Sequence, residues 1–238
     1  MNNYKTQGIV IRRDNMGEAD RRITLLTLDY GKKVIRAPGA RRPKSRFAPA
    51  TDLFCEIRFV AARGRTFDIL TEVQIINSHD GLSRNLARTK QAYWIGEITE
   101  RMLHDEEPHK KLYYLLSHTL NIIGMQENDK AVDYYIYNFL CRLGYAPVLH
   151  KCAATNNHLS IDGGIYFSPP SGGVVCQKTH QNDAPISVDA IKAIRYMNKP
   201  WREFSRVQIS SQTQKEVHRH LKNFTQYIIQ REIKSEGL

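Results

Sequence analysis

Residues 31–47 read GKKVIRAPGARRPKSRF, and they set the architecture of the N-terminal part of the chain. The apolar pair Val34-Ile35 suits a short strand. Ala37-Pro38-Gly39 must end it, because proline cannot donate a ladder hydrogen bond and glycine favours a turn. The stretch has no acidic residue and seven cations: Lys32, Lys33, Arg36, Arg41, Arg42, Lys44 and Arg46. A helix face with paired carboxylates is excluded, so we predict a strand that opens into a basic loop.

Four other short segments around this stretch have the composition of β-strands. Residues 6–13, 23–28, 54–60 and 67–76 alternate or cluster apolar residues, with turn residues between them. Five short strands at this spacing predict a small closed barrel rather than a parallel sheet. We therefore expect residues 1–79 to form a five-stranded oligonucleotide-binding barrel, filled by Phe54, Phe59 and Phe67.

From residue 83 the apolar period changes from two to about 3.6. The segments that fit helices are 83–103, 110–124, 129–143, 187–197 and 211–233. Gly and Pro pairs punctuate residues 146–180, which suggests a small zinc-ribbon-like hairpin insertion. The predicted fold class is α+β, with the barrel over residues 1–79 and an α-helical domain over residues 80–238 that carries this insertion.

The positive charge is concentrated near the N-terminus. The chain has a formal net charge of +11, and residues 1–66 contain fifteen Lys plus Arg against six Asp plus Glu, a net of +9. The remaining residues contain twenty against eighteen, a net of +2. This localised excess favours a polyanion site, and a nucleic-acid backbone is the simplest one because each neutralised phosphate releases counterions. The alternative is a solvated basic loop.

The hairpin insertion contains two half-motifs of a zinc ribbon, Cys152-Ala-Ala-Thr155 and Cys176-Gln-Lys-Thr179. A zinc ribbon needs two CxxC turns, and threonine does not replace the second thiolate. The alternative metal set consists of Cys152, Cys176, His158 and His180. We expect no metal and no other cofactor, with both cysteines as small buried side chains.

The sequence lacks the common motifs of catalysis, namely GxxxxGK[ST], GxGxxG, HExxH and GxSxG. We therefore expect a binding protein rather than an enzyme. The polar start MNNYKTQ has no apolar run of a signal peptide, and no segment approaches the roughly 20 apolar residues of a membrane span. Four widely spaced cysteines favour a reducing compartment, so we expect a cytoplasmic protein.

Several blocks of the sequence together resemble one known family. The blocks are Thr6-Gln7-Gly8-Ile9-Val10, Gly17-Glu18-Ala19-Asp20, Gly39-Ala40-Arg41-Arg42-Pro43-Lys44-Ser45-Arg46-Phe47, Leu143-Gly144-Tyr145-Ala146-Pro147 and Gly172-Gly173-Val174-Val175-Cys176. On these residues the chain resembles the RecO family of bacterial DNA repair proteins over nearly its whole length.

The resemblance implies an oligonucleotide-binding barrel, a helical domain and often a zinc-binding element, from which Thr155 and Thr179 depart. RecO-like proteins bind single- and double-stranded DNA and anneal complementary strands. They act with RecR and RecF to place RecA on single-stranded DNA, and they bind the acidic C-terminal tail of single-stranded DNA-binding protein. A nucleoid-associated location in the cytoplasm is the corresponding expectation.

For this chain we expect Arg41, Arg42, Lys44 and Arg46 to contact phosphate as a mobile arm, with Lys32, Lys33 and Arg36 extending the track. Tyr30 and Phe47 flank the segment and are the candidates for stacking on bases. Two other interpretations stay open. One is an adaptor whose tyrosines line a groove for an acidic peptide (Tyr113, Tyr114, Tyr134, Tyr135 and Tyr137). The other is an RNA-binding translation factor.

Overall fold

The computed structural model describes residues 3–103, 107–159 and 164–235, with side chains described as far as residue 230. Two compact units meet in sequence between Asn128 and Asp129. The first contains a closed five-stranded barrel and two helices, and the second contains helices and a small three-stranded sheet. The predicted α+β class, with an N-terminal barrel followed by helices, is confirmed.

The barrel closes in the order β1-β2-β3-β5-β4. Its strands are β1 (Asn3–Met16), β2 (Asp20–Thr27), β3 (Lys32–Ala37), β4 (Glu56–Ala62) and β5 (Asp68–Asn77). All neighbours are antiparallel except β3 and β5, which pair in parallel at Ile35–Asp68 and Arg36–Ile69. Because the two strands run in the same direction, the residues of β5 that follow Ile69 lie on the side of the basic loop, and the β4–β5 turn lies toward the start of β3.

The barrel interior is filled by alternate strand residues, because successive side chains point to opposite faces. Ile23, Ile35 and Phe59 are at most 1% exposed, and Phe59 has the core position that the sequence predicts. Phe54 is buried as well, but it packs outside the barrel on the first helix, α1 (Leu86–Met102). A Cβ placed on Gly96 of α1 would lie 2.8 Å from the Phe54 ring, so this close approach requires glycine.

A buried carboxylate ties the second helix, α2 (Lys110–Met125), to the barrel. Glu56 of β4 accepts hydrogen bonds from Tyr113 Oη at 2.6 Å and Ser117 Oγ at 2.9 Å. Burial alone would raise the pKa of Glu56, but His79 and the two hydroxyls outweigh burial and lower it. The helices α1 and α2 therefore pack with the barrel in the first unit. The predicted boundary at residue 79 marks where the strands end and the helices begin.

The second unit consists of helices α3 (Asp129–Arg142), α4 (Val188–Tyr196), α5 (Trp201–Phe204) and α6 (Ser211–Ser235) with strands β6 (Tyr166–Ser168), β7 (Gly173–Val175) and β8 (Ala184–Pro185). The β6–β7 hairpin lies within the predicted insertion. Asp133 of α3 is fully buried, accepts a hydrogen bond from Gln214 Nε2 at 2.5 Å and lies 2.8 Å from His218 Nδ1. In the described ranges, every helix is too short or too polar to cross a membrane.

Candidate nucleic-acid interface

The basic loop, residues 38–47, leaves the end of β3 and is fixed to the barrel at two points. Ala40 is fully buried and Phe47 is 8% exposed, and both belong to the barrel core. Between them the Arg41 N–H donates to the Ala19 carbonyl at 2.8 Å, and the Ser45 N–H donates to the Arg42 carbonyl at 3.1 Å. The loop is therefore pinned, and it is not the free arm that the sequence suggests.

Asp20, at the start of β2, fixes the first turn of the basic loop. Its Oδ1 accepts the Gly39 N–H at 2.7 Å, and its Oδ2 lies 2.6 Å from the Arg36 guanidinium. The Gly39 hydrogen bond and then Arg36 hold the pKa of Asp20 below its usual range, so the carboxylate is ionised at neutral pH. Gly39 has a φ of 65°, a left-handed conformation that favours glycine.

Four of the predicted phosphate contacts are exposed on the basic loop, namely Arg41, Arg42, Lys44 and Arg46. Arg41 donates to the Gly17 carbonyl in the β1–β2 turn at 2.8 Å, and Arg46 donates to the Thr71 carbonyl of β5 at 3.2 Å. Each of these bonds occupies one of five guanidinium N–H groups, so donors remain for a phosphate. The side chains of Arg42 and Lys44 make no hydrogen bond or ion pair with the part of the chain that the structure describes.

The three remaining cations of the stretch lie on β3, and only Arg36 is next to the loop. Lys32 is at the other end of the strand, about 16 Å away at 3.3 Å per residue. Its ammonium donates to the Glu100 carbonyl of α1 at 3.1 Å. Lys33 is half-buried, on the same side of the strand as the core residue Ile35, and has a partner within the protein. The structure thus brings five of the seven cations together and leaves Lys32 and Lys33 apart.

The two aromatic residues that the sequence offers for base stacking are both engaged in the barrel. Tyr30 packs against the core with its ring centroid 4.7 Å from that of Tyr4. Phe47 is a core residue, and the Arg46 guanidinium lies over its ring at 5.1 Å from the centroid. A base could stack on Phe47 only if Arg46 left and the ring turned outward.

Other arginines around β3 were missed by the sequence reasoning. Arg22 of β2 lies directly across the ladder from Arg36, and directly opposed residues share a face of the sheet. Arg63 and Arg65 are exposed in the β4–β5 turn, which precedes the pairing of Asp68 with Ile35 and therefore lies toward the start of β3, on the side of Lys32 and away from the basic loop. Only the strand pairing reveals these neighbours, although the excess of arginine over residues 1–66 was the available signal.

The tyrosines proposed for a peptide groove do not line a surface in the described residues, with one exception. Tyr113, Tyr134, Tyr135 and Tyr137 are each at most 9% exposed, and Tyr113 is bonded to Glu56. Tyr114 alone of these five is open, at 60% exposed. Most of these tyrosines are therefore buried in the interior of their own unit.

The residues of the hairpin insertion do not fit a zinc ion. Within the described ranges, no three side chains of His, Cys, Asp or Glu converge as metal ligands would, so the alternative set of Cys152, Cys176, His158 and His180 does not assemble. Burial alone would raise the pKa of the Cys152 thiol, but the Thr155 hydroxyl and the Cys176 N–H lower it to about 6.

Comparison with known proteins agrees with the fold and with the motifs. Residues 1–79 match the family model described as Recombination protein O N terminal, and residues 83–237 match that described as Recombination protein O C terminal. Curated relatives named DNA repair protein RecO include one from Roseiflexus sp. (strain RS-1), 32% identical over 98% of this chain and 83% of its own. Those from Bifidobacterium adolescentis and Symbiobacterium thermophilum are 30% and 31% identical, over 99% and 98% of this chain and 98% and 95% of their own. The chain therefore belongs to the RecO family of DNA repair and recombination proteins.

Proposed function

We propose that this protein binds single- and double-stranded DNA and anneals complementary single strands. The observation that carries the proposal is the cluster of five exposed cations (Arg36, Arg41, Arg42, Lys44 and Arg46) at one end of a closed oligonucleotide-binding barrel. Barrels of this type bind oligonucleotides through a strand face and adjoining loops. The proposed contacts go to phosphates, because guanidinium and ammonium groups bind phosphate without regard to base sequence.

Annealing follows from charge neutralisation without any covalent step. Two single strands repel each other, and a cluster of fixed cations lowers that repulsion where both strands approach the loop. Contacts restricted to phosphate leave the base edges free to pair. No bond is made or broken, so the proposed activity needs no catalytic residue and no cofactor.

In the cell the protein would act as a recombination mediator in the nucleoid. The support is the resemblance and the family membership: the relatives are named DNA repair protein RecO. RecR and RecF are the proposed partners in placing RecA on single-stranded DNA. The acidic C-terminal tail of single-stranded DNA-binding protein is the third proposed partner.

The test measures ATP-free annealing of complementary, dye-labelled strands, with the wild-type chain and with the double variant Arg41→Ala/Arg42→Ala. We expect the variant to anneal at least about tenfold more slowly, because two phosphate contacts are lost. A matched control, Lys192→Ala/Arg202→Ala, removes the same charge from exposed sites on α4 and α5. Equal rates for the two double variants would refute the role of the basic loop.

A competition experiment separates DNA from RNA as the ligand. Single-stranded DNA, duplex DNA and single-stranded RNA of one length compete for a labelled DNA strand on the same filter. We expect both DNA forms to displace the label at lower concentration than RNA does. Displacement by RNA alone would favour the translation-factor interpretation, and a protein that binds DNA without annealing would favour the adaptor.

A further inference from the structure

The first half-motif of the hairpin insertion keeps the form of a metal-binding turn. The Asn156 N–H donates to the Cys152 carbonyl at 2.8 Å, and the Cys152 N–H donates to the Asn157 carbonyl at 2.8 Å, which closes a tight turn. The Ala153 N–H donates to the Val174 carbonyl at 2.7 Å and ties this turn to β7. Cys152 is 2% exposed.

The second half-motif is organised around a carboxylate instead of a sulfur. Oδ2 of Asp183 accepts three hydrogen bonds, each of 2.8 Å, from the Thr179 N–H, the Thr179 hydroxyl and the His180 N–H. The Asp183 side chain is fully buried, and its Oδ1 lies 3.9 Å from His180 Nδ1. Although burial alone would raise the pKa of Asp183, the hydrogen bonds from Ser168, His180 and Thr179 lower it.

Neighbouring hydroxyls extend this arrangement to the strands of the hairpin. Ser168 at the end of β6 lies 3.5 Å from Thr179 Oγ1 and 3.3 Å from His180 Nδ1. Ser171, in the β6–β7 turn, lies 3.1 Å from Ser168 Oγ and 3.3 Å from Thr179 Oγ1. The position where a zinc ribbon has its fourth cysteine therefore belongs to a hydrogen-bond network centred on Asp183.

The residues that remain as metal ligands are turned to other partners. The Cys176 thiol points to the His158 carbonyl at 3.8 Å, and His180 Nδ1 lies 3.0 Å from the Thr179 hydroxyl. A zinc ion would need four ligands in a tetrahedron, and threonine supplies neither thiolate nor imidazole. The donor set and its orientation both disagree with the metal that the family resemblance implies.

We infer that Asp183 closes the second turn of this hairpin in place of a metal ion, so that the chain folds and stays folded without zinc. The carboxylate satisfies the turn N–H groups that a thiolate would otherwise satisfy, and the Thr179 hydroxyl links the turn to the β6–β7 hairpin. A buried ionised group with three short hydrogen bonds is a strong local constraint. The inference concerns the folding of the second unit and does not rest on the proposed DNA function.

The first test measures metal in the wild-type chain. Protein produced in zinc-supplemented medium is dialysed without chelator, and its zinc content is measured by inductively coupled plasma mass spectrometry. We expect far less than one zinc per chain, and the same melting temperature with and without a strong chelator. One zinc per chain, lost to the chelator together with a fall in melting temperature, would overturn the inference.

The second test asks whether Asp183 has the structural role. Asp183→Ala removes the acceptor of three hydrogen bonds and should lower the melting temperature by at least about 5 °C. The control Asp189→Ala removes a carboxylate that is 77% exposed and, among the residues that the structure describes, is paired with Lys192 at 3.8 Å. It should change the melting temperature by less than about 2 °C. Equal shifts in the two variants would overturn the inference. If Asp183→Ala does not fold, Thr179→Val takes its place. It removes one hydrogen-bond donor to Asp183 and should lower the melting temperature by more than Asp189→Ala does.

Discussion

Replacing Arg42 and Lys44 together by alanine tests the number of phosphate contacts that the basic loop makes. Both side chains are exposed and make no hydrogen bond or ion pair with residues that the structure describes. The bonds that pin the loop use the backbone of Arg41 and the side chains of Asp20 and Thr51, and all of these groups stay in the variant; Arg42 acts on Asp20 only through its charge, the last of the causes that lower the pKa of Asp20. The fold should therefore be unaffected, and a change in DNA binding reports the lost charges.

The expected magnitude follows from the five cations that the structure brings together. For single-stranded DNA, log K falls with log salt at about −0.7 per neutralised phosphate, so five contacts give a slope of about −3.5. Removing two contacts leaves a slope of about −2.1. Between 50 mM and 200 mM salt, the affinity of the wild-type chain should fall by about 130-fold and that of the double variant by about 18-fold.

Fluorescence anisotropy of a labelled oligothymidylate, titrated at five salt concentrations, measures both slopes. The control Lys192→Ala/Arg202→Ala has the same net charge as the loop variant, so it accounts for the general loss of attraction. We expect the control to keep the slope of the wild-type chain. If the loop variant also keeps it, these two residues do not contact phosphate and the interface lies elsewhere. A wild-type slope near zero would refute electrostatic binding altogether.

Two further changes test the interior of each unit. Tyr113→Phe leaves the buried Glu56 without its 2.6 Å hydrogen bond and should lower the free energy of unfolding by about 2 kcal/mol, measured by urea titration. Tyr114→Phe, at a position 60% exposed, should change it by less than about 0.5 kcal/mol, and equal effects would contradict this role of Glu56. Burial, and then Arg219, lower the pKa of His220 to about 4. The free energy of unfolding should therefore have its full value above pH 6.5 and fall between pH 6.5 and 4, because the unfolded chain takes up the proton in that range. At pH 5 the loss should be about 2 kcal/mol. His220→Gln, which can still donate to the Pro185 carbonyl, should lose less over that range, and an identical pH profile would contradict the assignment.

The sequence was sufficient to predict the barrel because its signals are local. Alternation around Ile9, Ile35 and Phe59, with turn residues between, defines strands without knowledge of their partners. The start of the helices at about residue 83 is equally local, since it depends on a change of period. The packing of α1 and α2 on the barrel is not local: it depends on Glu56 meeting Tyr113, fifty-seven positions apart.

The candidate site was predicted in composition but not in arrangement, for a related reason. A count of cations treats Lys32 and Arg46 alike, whereas β3 carries Lys32 to the opposite end of the barrel from the loop. Alternation along β3 turns Lys33 toward the core side. Conversely, Arg22 becomes a neighbour of Arg36 only through the β2–β3 register. Charge is readable from the sequence, but its position on a closed barrel depends on strand pairing.

The pinned loop also changes how annealing would work on the proposed function. A mobile arm would lose conformational entropy each time it became ordered on a DNA strand. A loop fixed by Ala40 and Phe47 is already ordered in the folded protein, so it loses little further entropy when DNA binds. The internal partners of its cations are a half-exposed ion pair between Arg36 and Asp20 and single hydrogen bonds to backbone carbonyls. Exposed pairs of this kind are worth at most about 1 kcal/mol, so a phosphate can replace them without disturbing the loop, and they can re-form when the phosphate leaves. The interface would thus be ordered before DNA binds and would release the strand readily, and a protein that must let go of the paired product needs both properties.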